Sequence, residues 1–277
     1  MRVQNLVIKG VSHLILLFFS VMTSYPLLWM LFSSLKDQGE FYTNLWWAPK
    51  AWLWENYAIA WRIAKLSTTY WNSILVSLAT IVLVILVSYL GAYSFARFES
   101  RFSKILMLIF LSALMIPAQI TLIPLFKVEL LLHIYNTKLG LILPHVAGSM
   151  PFSIFLLTTF IRSIPRELDE AAEIDGASRI SILWKVVFPL SRPGMATVVI
   201  LTFIGVWNDF FLALVMIKDP ANYTIPLGMM AFTQQFTDTN YSEVFAALSA
   251  TVLPMIIVYL VFQRYFISGL TQGALKL

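Results

Sequence analysis

The densest group of ionisable side chains in this chain lies in a polar insert, from Ile164 to Pro193, between two long apolar stretches. The chemistry that such an insert offers is recognition, because charged and hydrogen-bonding groups dock on soluble surfaces, whereas the rest of the chain is strongly apolar. The insert holds five of the 14 acidic residues: Glu167, Asp169, Glu170, Glu173 and Asp175.

Residue patterns for catalysis are missing from the sequence. No glycine is followed by lysine, so the phosphate-binding loop of ATPases is absent and any ATP must be hydrolysed by another chain. His13, His133 and His145 are far apart and have neither metal-site nor triad spacing. His145 fits a hydrogen-bonded histidine within a helix bundle, with a role in a transport pathway as the alternative. Without cysteine, disulfide and thiol chemistry are excluded.

Asp209, in the sequence Trp207-Asn208-Asp209, is the only acid inside the long apolar segments. Placing a carboxylate inside a membrane costs free energy, so a carboxylate found there is expected to have a function. Asn208 and Asp209 either hydrogen-bond across helices or line a translocation path together with Asn72, Pro117 and Trp207. A proton relay is less favoured, because no second membrane acid or paired base is evident. Two further residues could line a cavity or bond locally to the backbone: Gln119 and Thr121.

The composition is that of a membrane protein. The chain is 59% hydrophobic and only 12% charged, and its mean hydropathy is +0.80. A membrane span takes about 20 apolar residues, and the first segment is too long for a signal peptide. Pro117 and Pro124 are expected to break the third segment, and Pro151 interrupts the fourth. Six spans are predicted, at about residues 13–34, 72–96, 105–126, 139–161, 194–217 and 246–263.

The distribution of lysine and arginine predicts the orientation. With a cytoplasmic N-terminus, 12 of the 19 basic residues lie inside and seven outside, in keeping with the positive-inside rule. Both termini and the polar insert are then cytoplasmic. The net charge of +5 is scattered over span ends, so it indicates topology and no nucleic-acid partner.

Local signals in the insert predict a helix, a glycine turn and a second helix. Pro165 suits the N1 position of the first helix, while Glu167 and Asp169 complement the positive end of its dipole. Gly176 is placed for a left-handed cap, with Ala171 and Ala172 presenting a small face before it.

The second helix of the insert is expected to begin at Ser178 or Ser181 and to end at Pro189 and Pro193. The plain alternative is an amphipathic hairpin that only connects two spans. Connections in bundles usually take about 2–8 residues, so a longer folded insert favours a docking element.

The spacing within the insert resembles the EAA loop of ABC importer permeases. Glu170-Ala171-Ala172 is followed after three residues by Gly176, and Val186-x-Phe188-Pro189 follows nine residues later. Phe188 stands where the family usually has an aliphatic residue. Further segments resemble the smaller permease of the maltose and multiple-sugar branch, so the resemblance covers nearly the whole chain: Trp54 to Tyr57, Asn72-Ser73, Tyr93 to Arg97, Ile116 to Leu125, Trp207 to Asp209 and Gly269 to Lys276.

The resemblance implies a polytopic all-α membrane protein of the type I importer class, with six transmembrane helices and the EAA loop as coupling helix. It implies that Glu170 pairs with a basic group of an ATPase subunit and that Ala171 and Ala172 form the close-contact face, with Asp175 beside them. Gly176 would set the bend and Pro189 the return. The C-terminal residues Gln272 to Leu277 could reach the ATPase as well.

The resemblance also implies the organisation and the partners. Residues 1–71 hold the first span and an external loop, residues 72–264 form the permease core with the coupling loop at 164–193, and residues 265–277 form a cytoplasmic tail. The partners are a second permease in a heterodimer, two ATPase subunits that bind ATP and Mg²⁺, an extracytoplasmic solute-binding protein and a sugar. The chain itself is no enzyme and needs no cofactor or metal, and it lies in a bacterial or archaeal cytoplasmic membrane. A secondary, ion-coupled transporter is the alternative, although the inverted repeats and membrane acids expected of one are not evident.

Overall fold

A computed structural model describes residues 2–98, 100–232 and 240–274, with side chains from residue 9 to residue 263 in these ranges. The predicted tail contact from Gln272 to Leu277 lies outside the described side chains. The described residues form helices and no strand, which confirms the all-α class. The helices are α1 (Arg2–Ser34), α2 (Gln38–Thr43), α3 (Glu55–Ile63), α4 (Leu66–Arg97), α5 (Arg101–Ala113), α6 (Ala118–Leu131), α7 (Lys138–Arg162), α8 (Glu167–Ile174), α9 (Arg179–Ile182), a π turn (Leu183–Val187), α10 (Phe188–Leu190), α11 (Arg192–Trp207), α12 (Phe211–Met216), 3₁₀ turns (Pro220–Asn222 and Met229–Phe232), α13 (Ile225–Gly228) and α14 (Tyr241–Ala274).

Up to six membrane spans are present in the described residues. Four single helices are long and apolar enough to cross a bilayer. By length and composition, two further candidate spans result if each bent helix pair counts as one: Arg101–Ala113 with Ala118–Leu131, bent by 98°, and Arg179–Leu190 with Arg192–Trp207, bent by 72°. The first helix of the second pair belongs to the polar insert. The predicted six-helix architecture agrees with this count.

Prolines in the predicted third and fourth spans act differently from one another. The third span breaks before Pro117, which has extended backbone and begins α6. Pro124 lies inside α6 and Pro144 and Pro151 lie inside α7 without ending either helix. In a bundle, neighbouring groups can satisfy the carbonyls that a proline leaves without a partner. The position of a proline therefore does not by itself predict where a helix breaks.

The predicted fifth span, residues 194–217, is wrong as a single helix. Helix α11 ends at Trp207 and α12 begins at Phe211. The cause is Asp209, whose carboxylate accepts hydrogen bonds from the N–H groups of Leu212 (3.4 Å) and Ala213 (3.1 Å). These N–H groups have no carbonyl partner in the first turn of a helix, so the carboxylate starts a new helix there.

The chain divides into two compact units. The first comprises Met1–Leu66 and Met229–Pro254, and the second comprises Ser67–Gly228 and Met255–Leu277. Within the first unit the buried amide of Asn56 donates to the Ser34 and Lys36 carbonyls, at 2.9 and 2.8 Å, and so ties α3 to the end of α1. The polar insert and the candidate pathway residues all lie in the second unit.

Helices α7 and α11 approach closely in the second unit because Gly194 has no side chain. A Cβ atom built on Gly194 would lie 2.7 Å from the ring of Phe160 and 3.1 Å from its Cβ. Glycine at this position therefore sets the distance between the two helices, one of which leaves the polar insert while the other leads into it.

We expect Gly194→Ala to destabilise the protein by about 1–3 kcal/mol, because the added methyl overpacks this contact. Gly205→Ala is the matched control on the same helix, since a Cβ there meets nothing within 4 Å and alanine favours the helix by up to about 1 kcal/mol. The measurement is the thermal unfolding midpoint of each purified variant in detergent. A Gly194→Ala midpoint equal to or above that of Gly205→Ala would contradict the close-approach interpretation.

Candidate functional site

The first arm of the polar insert is α8, a helix of eight residues that ends at a glycine turn. Gly176 has φ of +81°, in the left-handed region. The Ala177 N–H donates to the Ala172 carbonyl (2.9 Å) and the Gly176 N–H donates to the Glu173 carbonyl (3.0 Å). This pair of bonds is the Schellman motif, so the predicted left-handed cap at Gly176 is confirmed.

The second arm begins at a predicted residue, but the first arm does not. Ser178 caps α9, since its hydroxyl accepts from the Ser181 N–H at 3.3 Å, so of the two predicted serines Ser178 is the cap. Pro165, predicted at N1, lies two residues before the first residue of α8. Its carbonyl accepts from the Leu168 N–H at 3.4 Å, so Pro165 begins the preceding turn.

The second arm ends at Leu190, between the two predicted prolines. The helix continues through Pro189 to Leu190, and Pro193 lies in the first turn of α11. The turn before Pro189, Leu183–Val187, is a π turn. Proline has no N–H to close a regular α turn, and widening the preceding turn lets the helix pass this position without breaking.

The insert presents an exposed face made of Leu168, Glu170, Ala171, Ile174 and Ile180, here called the docking face. Ile174 is 87% exposed and Ile180 is 71% exposed. Ala172, beside this face, is partly buried. Large apolar side chains this exposed in a polar segment are compatible with contact with a partner. Sequence reasoning missed Ile174, although it lies one helical turn from Glu170 and Ala171.

The insert is fixed to α4 by a buried ion pair. The Arg97 Nε lies 2.6 Å from an Asp169 carboxylate oxygen, and the two side chains are only 7% and 15% exposed. The Arg97 guanidinium also donates to the carbonyls of Ile161 and Ile164, each at 3.3 Å. One arginine of α4 therefore holds the end of α7 and the start of α8 together. Asp169 was predicted only to complement the helix dipole.

A second contact ties α4 to the other arm of the insert. The buried Tyr89 hydroxyl donates to the Leu183 carbonyl, which lies in the π turn, at 2.6 Å. The ring of Tyr89 also contacts those of Trp184 and Phe188, with centroids 5.6 and 5.4 Å apart. Tyr89 and Arg97 are two turns apart on α4 and share one face, so this face holds both arms.

Asn72, Trp207 and Pro117 occupy different environments in the second unit. Asn72 is buried, and its amide donates to the carbonyls of Ala221 (2.8 Å) and Tyr223 (2.9 Å). Trp207 is buried and its ring stacks on Phe203 at 5.1 Å. Pro117 is exposed at the break between α5 and α6. Asn72 and Trp207 therefore make internal packing contacts.

Of Asn208 and Asp209, only Asp209 makes a side-chain contact with another helix. The Asn208 amide donates to Ile204 of its own helix at 2.9 Å. Asp209 starts α12, and its carboxylate also lies 3.6 Å from Nε2 of His145 on α7. The structure thus pairs Asp209 with a histidine that is remote in sequence. Among the described residues, no three His, Cys, Asp or Glu side chains converge on a metal position.

Glu129 and Glu243 are acids in helices that belong to candidate spans. Helix α6 continues beyond the predicted limit at residue 126, to Leu131, and Glu129 is 1% exposed. Neither carboxylate oxygen has a hydrogen-bond partner among the described residues. The expectation that Asp209 is the only such acid is therefore wrong, because the helix is longer than the apolar segment suggests.

We expect Glu129→Met to raise the thermal unfolding midpoint, since an apolar side chain of similar size replaces a buried polar group that has no partner. A buried polar group without a partner costs about 1–3 kcal/mol, and its removal recovers part of this cost. Glu243→Met is the comparison, because the carboxylate of Glu243 accepts a hydrogen bond from Asn240 at 2.9 Å. Removing this carboxylate should lower the thermal unfolding midpoint. A lower midpoint for Glu129→Met than for Glu243→Met would contradict this interpretation.

Comparisons with known proteins agree on one family. Residues 88–272 match the family described as "Binding-protein-dependent transport system inner membrane component". A diacetylchitobiose uptake system permease of Streptomyces coelicolor is 38% identical, covering 96% of this chain and 89% of the relative. A trehalose transport system permease of Mycobacterium tuberculosis is 35% identical, covering 91% and 92%. A melibiose/raffinose/stachyose import permease of Bacillus subtilis is 34% identical, covering 91% of each chain.

One solved structure has the same fold over nearly the whole chain. It is a bacterial ABC transporter involved in the import of the acidic polysaccharide alginate. Its matching chain aligns with a TM-score of 0.80 at 24% identity, covering 95% of this chain and 98% of that chain. At this identity the likeness describes the fold alone.

Proposed function

Because the chain belongs to the family of binding-protein-dependent transport system inner membrane components, we propose that it is the permease subunit of an ATP-driven importer for a sugar or oligosaccharide. The transport of diacetylchitobiose, trehalose and raffinose-type sugars by relatives that align over more than 90% of this chain supports the substrate class. The complete importer contains a homologous second permease, two ATPase subunits that bind ATP and Mg²⁺, and an extracytoplasmic binding protein.

The proposal rests mainly on the docking face of the insert, whose two arms are each attached to α4, through Arg97 and through Tyr89. Glu170 pairs with a basic group of the ATPase subunit, and Ala171 and Ala172 allow its surface to approach closely. Ile174 adds an apolar contact, since its 87% exposure leaves it free for a partner. Asp175 and Gly176 form the turn that ends this helix, and Pro189 lies in the arm that returns to the membrane.

The attachments explain how movement of the docking face reaches the membrane helices. Arg97 fixes α8 to α4 and to the end of α7. Tyr89 fixes the π turn to α4. When ATP binding draws the two ATPase subunits together, the insert and these helix ends move as one body. The paired permeases then change from inward-facing to outward-facing.

The orientation that this mechanism needs is the one that the basic residues favour. The chain crosses a bacterial or archaeal cytoplasmic membrane several times with both termini in the cytoplasm, so the docking face meets the ATPase there. Loops on the other side of the membrane meet the solute-binding protein.

The proposal is tested by reconstituting the complex with a second permease, an ATPase and a binding protein from the same organism. We expect ATP-dependent accumulation of a radiolabelled oligosaccharide in proteoliposomes, tested with diacetylchitobiose, melibiose, raffinose and trehalose. ADP in place of ATP should abolish uptake, whereas a protonophore should leave it unchanged. Uptake that follows a proton gradient without ATP would instead favour a secondary transporter.

A further inference from the structure

A cavity of about 310 Å³ lies within the second unit between α6, α7 and the start of α12. Its wall is mostly apolar, but five polar side chains reach it from three separate parts of the chain. These are Gln119, Thr121, His145, Ser149 and Asp209. A largely apolar pocket with a few convergent polar groups is the usual form of a small-molecule site.

The polar groups keep hydrogen-bonding capacity that the fold does not use. Gln119 and Ser149 have no hydrogen-bond partner among the described residues. The Thr121 hydroxyl donates to the Ala118 carbonyl at 2.7 Å, which leaves its oxygen free to accept. Asp209 and His145 are 19% and 16% exposed and lie 3.6 Å apart, so their outer edges remain open to a ligand.

The combination of groups fits a neutral, hydroxyl-rich ligand. Amide, imidazole and hydroxyl groups can both donate hydrogen bonds to a ligand's hydroxyls and accept from them, and a carboxylate can accept from them. The Phe211 ring, 62% exposed, also lines the cavity and offers a flat apolar surface to one face of a sugar ring. The charge of Asp209 disfavours an anionic ligand. A cationic ligand is also disfavoured, because Asp209 is the one carboxylate in the lining and it already lies beside His145.

We propose that this cavity is a saccharide subsite through which this subunit contacts the sugar during translocation, an inference that rests on the proposed function. The volume lies near the lower limit of small-molecule pockets, about 300 Å³, so the site holds a terminal sugar unit and not a long oligosaccharide. His145 lies seven residues from the start of α7, about 10 Å along the helix. In the proposed orientation the subsite is therefore in the outer half of the membrane.

Gly148 offers a direct way to fill the cavity. It lines the cavity, and a Cβ atom built on it meets nothing within 4 Å. Gly148→Leu therefore places a side chain in the open space without a clash at its first atom. Gly205→Leu is the matched control, because Gly205 is equally unobstructed but does not line the cavity.

The experiment measures uptake by the complete reconstituted complex, using whichever of diacetylchitobiose, melibiose or trehalose the wild type transports. We expect Gly148→Leu to lower the uptake rate at least about tenfold while the complex still assembles and hydrolyses ATP. Gln119→Ala should raise the sugar concentration for half-maximal uptake about three- to tenfold, the effect of one lost hydrogen bond. Ser112→Ala, which lies on α5 away from the cavity, should leave uptake unchanged.

Three results would overturn the inference. Wild-type uptake by an assembled Gly148→Leu complex would show that the cavity does not hold the sugar. Equal loss with Gly205→Leu would show that leucine at any open helix position impairs uptake, and that the cavity is not responsible. If the wild-type complex accumulates none of the sugars with ATP, the proposed function fails and the subsite fails with it, which separates that outcome from failure of the subsite alone.

Asp209→Asn separates two roles of this side chain. Asparagine keeps a side-chain oxygen for the first turn of α12 but removes the charge beside His145. A helix-starting role alone predicts nearly normal uptake, whereas a subsite role predicts a raised half-saturation concentration with unchanged assembly. An unchanged half-saturation concentration in both Asp209→Asn and Gln119→Ala would contradict the subsite.

Discussion

Gly176→Val is expected to reduce ATP-driven uptake by more than tenfold while the membrane helices still insert. Gly176 has φ of +81°, and an L-residue in the left-handed region costs about 1–2 kcal/mol, with more for a β-branched side chain. A helix of eight residues has little stability of its own, so this cost unwinds the end of α8 and displaces the docking face. The measurements are uptake in proteoliposomes and copurification of the ATPase subunit.

The matched control for this prediction is Gly176→Asn, since asparagine tolerates the left-handed region better than other residues with a side chain. A Cβ atom at Gly176 meets nothing within 4 Å, so the two variants differ in backbone preference and not in crowding. We expect Asn to retain most of the uptake. Normal uptake by Gly176→Val would remove the glycine turn from the coupling mechanism.

Arg97→Met is expected to uncouple the insert from the membrane helices. It leaves Asp169 with 15% exposure and without its cationic partner, and breaking a largely buried pair in this way costs up to about 3–5 kcal/mol. Asp169→Leu should be damaging for the same reason, although the Arg97 guanidinium keeps its bonds to the Ile161 and Ile164 carbonyls. The expected readout is lost uptake with a raised ratio of ATP hydrolysed to sugar transported.

The double variant Arg97→Met with Asp169→Leu tests whether the two residues act as a pair. Removing both charges leaves no buried ion unpaired, so we expect less damage than the sum of the two single effects. Glu173→Gln is the control on the same helix, because its pair with Arg179 is exposed and spans 4.0 Å and such pairs contribute little. Strictly additive losses in the double variant would contradict the paired attachment.

Much of the fold could be predicted because its signals are local in the sequence. Apolar segment length identifies the spans, and Gly176 with Ser178 identifies the turn in the insert, since a left-handed cap and an N-cap each depend on a few neighbouring residues. The docking role of Glu170 and Ala171 came from the charge pattern together with the resemblance. Their exposure in the structure is compatible with that role.

The contacts between distant segments could not be predicted from one sequence. The partners Arg97 and Asp169 are 72 residues apart, and no local pattern joins His145 to Asp209. The π turn before Pro189, which lets the helix run one residue past this proline, was not predicted. The helix break at Asp209 in the predicted fifth span was missed. In the sequence, a carboxylate that caps a helix is only one polar residue in an apolar segment.

Cross-linking tests most directly whether the docking face contacts the ATPase subunit. The chain has no cysteine, so a single cysteine can be introduced by Ala171→Cys on the docking face and, separately, by Ala221→Cys in the exposed turn Pro220–Asn222. With cysteine at a matching surface position of the ATPase, we expect Ala171→Cys to form a cross-link whose yield changes when ATP binds, and Ala221→Cys to form none. No cross-link from Ala171→Cys in an assembled, transporting complex, or one only from Ala221→Cys, would contradict it.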